Sequence, residues 1–234
     1  MDDNSVSEWN SAAAGYSISQ ENSPYSLFNK EFVKSLFIHD LHGLSILDAG
    51  CGDGYYANFF YEEGADVTGC DGSSEMLKIA KEKHPKIKFD LLDLEKELPY
   101  SDEQFDIIFC NQVLMDLENL SDTIANFSRI LKDGGHFYFS VVHPCFYSGD
   151  WEFDDAGRKT YKKITNYLSH SSEKNNFWGK TTHYHRPVSY YMNILYKNNL
   201  VLERLMEPPI FIGEDDDSTL RIPLFLFGIM KKYF

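Results

Sequence analysis

Apolar and polar positions fall in alternating blocks along this chain. Short apolar runs read as strands: "LSILDAG" (44–50), "ADVTGCD" (65–71), "KIKFDLLD" (86–93), "FDIIFCN" (105–111) and "HFYFSVVH" (136–143). The run in "FDIIFCN" suits a strand covered on both faces. Between them, "GYYANFFYEEG" (54–64), "SSEMLKIAKEKHP" (73–85) and "SDTIANFSRILKDGG" (121–135) read as helices. Gly64, Pro85 and Gly134 read as their stops and Ser121 as an N-cap. Strand and helix thus alternate from about residue 45 to 143, which predicts parallel strands with crossover helices on both faces.

The flanks differ. "NSPYSLFNKEFVKSLF" (22–37) predicts a helix with Ser23 as N-cap, Pro24 at its first position, and Leu27, Phe28, Phe32 and Leu36 on one face. Residues 144–187 are polar, aromatic and irregular. A helix ("VSYYMNILYKNN"), a strand ("LVLERLMEP"), an acidic loop read as a solvated turn ("GEDDDS", 213–218) and a last apolar strand ("PLFLFGIMKKYF") follow. Two strands joined without a helix pair antiparallel. One domain over 1–234 is expected: an N-terminal helical cap (1–43), a core (44–145), an inserted lid (146–187), and a helix with a strand pair (188–234).

Size and composition suit such a fold, with 234 residues, 43% hydrophobic and 25% charged. No apolar run approaches the ~20 residues of a membrane helix. "MDDNSVSEWN" lacks the basic and apolar regions of a secretory leader. The net charge of −14 argues against a nucleic-acid partner. Cys51, Cys70, Cys110 and Cys145 are widely spaced, form no CxxC, and read as free thiols of a cytoplasmic protein.

Gly50, Gly52 and Gly54 follow the first strand directly, which lets a ligand approach the backbone at a helix N-terminus. In an open α/β sheet the ligand lies beyond the carboxyl ends of the strands. Four of those ends carry Asp48, Asp71, Asp93 and Asn111, with no Lys or Arg among them. The P-loop pattern with its Lys is absent. An acidic rim suits a ligand with ribose, an amino group and a positive centre, such as S-adenosylmethionine. "GDGYYA" (52–57) also fits the dinucleotide pattern G-x-G-x-x-A, so an NAD(P)-binding oxidoreductase stays open at this point.

"LDAGCGDG" resembles the first motif of the class I S-adenosylmethionine-dependent methyltransferases, especially their UbiE-like small-molecule branch. The resemblance continues through Asp71, "DLLDLEKELPYSDEQFD", "FCNQVLMDLEN" and "ILKDGGHFYFSVVHP", covering about residues 44–145 closely. It implies an α/β, Rossmann-like three-layer sandwich around a mostly parallel seven-stranded sheet with an antiparallel last strand. It also implies methyl transfer from S-adenosyl-L-methionine, leaving S-adenosyl-L-homocysteine. Carried over, Gly50, Cys51 and Gly52 border the methionine moiety, and Asp48 sits near its amino group. Asp71 holds the ribose hydroxyls, while Gly72 and Met76 line the nucleoside. Asp93 accepts from the adenine amine beside Leu94, Asn111 offers its carbonyl to the amino group, and Tyr16 contacts the cofactor from the N-terminal segment. A non-catalytic cofactor-binding subunit that activates a partner methyltransferase is the other reading.

The acceptor side is expected in the lid. Residues 148–186 carry Trp151, Phe153, Tyr161, Tyr167, Phe177, Trp178 and Tyr184, and seven Lys or Arg against five acids. This suggests a flat or aromatic small-molecule acceptor, methylated on O, N or C, with or without an anionic group. His143, after the fifth strand, and His185, in "THYHRP", are the candidate catalytic bases. His143, His183 and His185 form no closed ligand set, so no metal is expected. The fourth strand is followed by "NQVL", not the "NPPY"-type sequence of adenine and glutamine methylases, which with the acidity disfavours nucleic acid. A monomer or homodimer is expected.

Overall fold

The computed structural model describes residues 5–147, 149–209 and 222–233. Its helices are α1 (Ser5–Asn22), α2 (Pro24–Leu36), α3 (Tyr55–Glu62), α4 (Ser74–Lys83), α5 (Leu120–Ile130) and α6 (Val188–Lys197). Its strands are β1 (Ser45–Ala49), β2 (Asp66–Asp71), β3 (Lys88–Leu91), β4 (Phe105–Asn111), β5 (Leu131–Val142), β6 (Asp150–Phe153), β7 (Lys159–Lys163), β8 (Ser171–Asn175), β9 (Thr181–His185), β10 (Leu200–Met206) and β11 (Phe225–Lys232). Seven of them form one sheet in the order β10-β11-β5-β4-β1-β2-β3. The pairs among β1 to β5 are parallel, and β11 runs antiparallel to both β5 and β10. This is the α/β architecture that the element order implied.

Side-chain alternation divides the core between the two sheet faces. Leu47, Ile108 and Phe137 pack with α5 and α6 residues such as Phe127 and Leu195. Ile46, Ile107 and Phe109 pack on the other face with Val33, Phe60 and Leu77 of α2, α3 and α4. Because β1 pairs with β2 on one side and β4 on the other, the strand order reverses at β1. A crevice opens beyond the carboxyl ends of strands at such a reversal.

Several boundaries differ from the sequence reading. Pro24 does open α2, but the Ser23 side chain makes no cap bond. The N-cap of α5 is Asn119, whose side chain accepts from Ser121 N–H, so Ser121 is the first donor and not the cap. That helix ends at Ile130, and Gly134 lies within β5 at φ +76°. Asp93 lies two residues beyond β3, in the following loop. The lid is more regular than its composition suggests: β6–β7 and β8–β9 each form an antiparallel hairpin. The α1 helix lies ahead of the one helix visible in the apolar pattern. The acidic loop 213–218 lies outside the described residues.

Candidate active site

The glycine turn is built by β2. The N–H groups of Gly50 and Cys51 both donate to the Cys70 carbonyl, at 2.8 and 2.9 Å, and the Gly52 N–H donates to Asp71 Oδ2 at 2.9 Å. Two of these glycines serve different ends. Gly50 has φ +75°, and a Cβ there would stand 2.4 Å from Val113 Cγ2, so the turn closes against the segment after β4. Gly52 has φ +52°, and a Cβ there would meet nothing nearer than the Tyr16 ring at 3.8 Å. Its bare backbone faces open space.

That space is a cleft of about 640 Å³ at the sheet reversal. Nine of the residues singled out in the sequence line it: Tyr16, Gly50, Gly52, Asp71, Gly72, Met76, Asp93, Leu94 and Asn111. Asp48 and Cys51 line a small cavity that adjoins it through Tyr16, Gly50, Gly52 and Asn111. Among the described residues no Lys or Arg lines the cleft. Lys30 borders the smaller cavity, with its ammonium on the Gln20 carbonyl and over the Tyr55 ring.

Burial there favours the protonated form of the acids. Asp48 is 2% exposed, and its Oδ2 has no hydrogen-bond partner. Burial pushes its pKa up to about 8, with Asp71 and Asp53 adding repulsion against the Ala57 N–H that bonds to it. Asp71 is also raised by burial, although the N–H groups of Ser73 and Gly52 bond to its two oxygens. Each of those oxygens keeps a second lone pair. Asp93 Oδ1 accepts from Glu95 N–H. The Asn111 carbonyl already accepts from Ser140 Oγ at 2.6 Å, and its Nδ2 donates to Asn29 Oδ1.

A second, larger cavity of about 1430 Å³ opens beside the cleft, sharing Trp9, Tyr16, Asn111, Gln112 and Asp116 with it. Its roof is a cluster of rings from α1 and the lid. Trp178 stacks on Trp9 with centroids 6.1 Å apart and meets Tyr16 edge-on at 5.0 Å. Small residues allow this approach: a Cβ on Gly15 would stand 2.8 Å from the Trp178 carbonyl. Buried Glu8 ties the two segments together by accepting from Thr182 N–H at 2.7 Å and Thr182 Oγ1 at 2.9 Å. Ser17 Oγ and Lys83 Nζ both bond to Asp53 Oδ2, anchoring α1 beside the glycine turn.

The two candidate bases stand behind this cavity. His143 and His185 both line a third pocket, and neither lines the large one. His143 accepts from Cys145 N–H at Nδ1, which leaves Nε2–H to donate to Glu207 Oε1 at 2.7 Å. His185 Nε2 lies 2.8 Å from the Tyr167 carbonyl. His183, two residues earlier on β9, does reach the large cavity, opposite Asp116. Neither of these two was singled out as catalytic in the sequence. Strand alternation puts 183 and 185 on one face, so no local signal separates them.

Comparison with known proteins matches these features. The methyltransferase domain family matches residues 47–139. A malonyl-[acyl-carrier protein] O-methyltransferase of Hamiltonella defensa is 38% identical over 97 residues, covering 42% of this chain and 37% of that protein. A ubiquinone biosynthesis O-methyltransferase of Photobacterium profundum is 36% identical over 107 residues, covering 44% of this chain and 46% of its own length. The chain thus spans less than half the length of these two curated relatives. An S-adenosylmethionine-dependent methyltransferase structure from Mesorhizobium loti superposes with a TM-score of 0.75 at 26% identity, covering 91% of this chain and 99% of that one. With its glycine turn, acidic rim and reversed last strand, this chain carries a methyltransferase domain over residues 47–139 and has the fold of S-adenosylmethionine-dependent methyltransferases.

Proposed function

We propose that this protein moves the methyl group of S-adenosylmethionine to a small-molecule acceptor held in the large cavity. The buried, unpartnered Asp48 carboxylate oxygen beside the glycine turn carries this reading. A carboxylate in that state calls for a cation, and the cofactor's amino group is one. The rest of the cleft fits the same molecule. Asp71 has lone pairs for two ribose hydroxyls, Met76 and Leu94 give apolar walls for a base, and Asp93 keeps an oxygen to accept from an exocyclic amine. A dinucleotide's pyrophosphate would find no Lys or Arg in the described cleft.

Bound there, the cofactor supplies an electrophilic methyl on sulfur. The chain's own part is alignment and exclusion of water. The Trp9, Tyr16 and Trp178 rings roof the junction of cleft and cavity, and Glu8 holds the lid on α1. His143 and His185 line a neighbouring pocket that shares Met115, Val142, Tyr147 and His183 with the acceptor cavity. We assign the whole chain to one domain, working as a monomer or homodimer in the cytoplasm. Among the described residues no helix is long and apolar enough to cross a membrane.

Calorimetry on ligand-stripped protein tests the reading. Heat with S-adenosylhomocysteine and none with NADH is expected. The reverse result would overturn it. Binding without turnover on any small acceptor would favour an activating subunit.

A further inference from the structure

Asp116 closes a single 3-10 turn (Leu114–Asp116) after β4, and it lines both the cleft and the large cavity. It is 4% exposed, and its Oδ1 has no hydrogen-bond partner. His183, 8% exposed, brings Nε2 to 3.3 Å from that oxygen, while its Nδ1 is also unpartnered. The Trp9 side chain bonds to the same carboxyl from α1. A buried carboxyl and a buried imidazole from distant segments, each with one unpartnered atom, thus stand side by side on the wall of the large cavity. A buried orphan is costly, and native structures keep such groups where a ligand or water completes them.

Tyr25, Tyr56, Tyr147 and Phe225 add aromatic wall, interrupted by uncharged polar side chains such as Ser19, Gln20, Ser26 and Asn29. Among the described residues no Lys or Arg lines it. The lid's cations are turned elsewhere. Lys162 bonds to the Phe146 and Tyr147 carbonyls, Lys159 lies over the Trp151 ring, Arg158 pairs with Asp154, and Arg186 donates to the Leu117 and Glu118 carbonyls. An anion entering this cavity would lose its hydration, find no counter-charge among the described residues and face a carboxyl group.

We propose that the acceptor is a flat aromatic molecule without a negative charge, presenting an N–H, O–H or protonated amine to Asp116 and His183, and that this pair selects it. The proposal rests on the methyltransferase reading and names the substrate class of that site. The protonation of the pair agrees with it. Burial raises the Asp116 carboxyl well above its usual range, reinforced by Asp71 and Glu8 and opposed by the Trp9 bond, and burial lowers His183 to about 4. The free pair is therefore uncharged, able to give or take a hydrogen bond from a neutral donor, and a cation would draw the carboxyl into its ionised form.

The test uses one ring at three charges. The full chain is saturated with S-adenosylhomocysteine, then titrated calorimetrically with tryptamine, tryptophol and indole-3-acetate. Tryptamine and tryptophol are expected to bind at least about tenfold more tightly than indole-3-acetate. Asp116→Asn should narrow the tryptamine preference to within about threefold. Equal or tighter binding of indole-3-acetate, no binding of any of the three, or an undiminished preference in the variant would each overturn the proposal. The wild-type series stands without the variant, should the variant fold poorly. Binding of S-adenosylhomocysteine with failure of the indoles removes this inference alone, whereas absence of both removes the methyltransferase reading with it.

Discussion

Asp71 and Asn111 line the cleft from the ends of β2 and β4, and Asp48 lines the small adjoining cavity from β1, the strand between them in the same sheet. The wall of the large cavity is gathered differently. Trp9 and Tyr16 come from α1, Asn29 from α2, Trp178 and His183 from the lid, and Phe225 from the last strand. The first region is held by backbone hydrogen bonds within a parallel sheet; the second is held by side chains that bridge segments more than a hundred residues apart, as Glu8 bridges to Thr182. A region of the first kind can keep one ligand across many proteins, while the second can change its ligand without disturbing the sheet.

The sharpest way to break the first region is at Gly50. Its φ of +75° and the 2.4 Å approach of Val113 leave a side chain no room, and Val113 is stiff about χ1. Gly50→Ala is expected to destabilise the fold by about 3 kcal/mol, combining left-handed strain with overpacking. Urea denaturation measures it. Gly52→Ala is the control: strain of about 1 kcal/mol, with the larger loss in affinity for S-adenosylhomocysteine, because the new methyl enters the cleft. Equal stability losses for the two would show that the two glycines do not differ in role.

Asp48→Asn should weaken S-adenosylhomocysteine binding roughly 10- to 100-fold, in the range of a charged hydrogen bond. Methylthioadenosine, which lacks the amino-acid tail, should change less than about threefold. A similar loss for both ligands would place Asp48 outside the amino-group site. The same variant has a pH signature. The folded carboxyl, at about 8, lies above its unfolded value of 3.8, so the folded state holds the extra proton between these pH values. Wild-type stability should therefore fall as pH rises through that window, by up to about 1.4 kcal/mol per pH unit from this group. Asp48→Asn should flatten that slope. Cofactor binding favours the ionised carboxylate, so wild-type affinity should rise with pH toward 8 with release of a proton.

A smaller effect, confined to the second region, is expected from Glu8→Ala. The Thr182 N–H and hydroxyl would lose their acceptor, worth about 1–3 kcal/mol. Hydrogen exchange should quicken across β8–β9 and leave β4 unchanged. Faster exchange throughout the sheet would mean that the lid and core unfold as one unit.

The two regions also differed in what the sequence disclosed. The glycine turn and the acids at 48 and 71 follow apolar runs of strand length, so their place at the sheet's rim could be read locally. The cavity wall could not. In α1 the buried residues are Glu8, Ala12, Ala13 and Ser17, which make no apolar stripe. That helix is recognised by its fit to the lid, where Gly15 admits the Trp178 carbonyl. The hairpin strand β8 reads "SSEKN" and is largely exposed, so it lacks the alternation that marks a strand with one buried face. His143 and His185 stood out because they flank strand ends. Their partners, Glu207 and the Tyr167 carbonyl, lie 64 and 18 residues away and are visible only in the fold.

The lid's positive charge gives the finest test of the contrast. Lys159 lies over the Trp151 ring on the outer hairpin, and Lys163 is exposed on the same strand. Neither lines the large cavity. If the net charge of the lid attracted an anionic acceptor from a distance, removing both would lower its association rate most at low salt. If selection lies with the cavity wall, Lys159→Ala combined with Lys163→Ala should alter equilibrium affinity for any of the indole probes by less than about twofold, and stability by less than about 0.5 kcal/mol, as at other exposed positions. A larger, salt-sensitive loss for indole-3-acetate alone would return specificity to the hairpin and take it from Asp116.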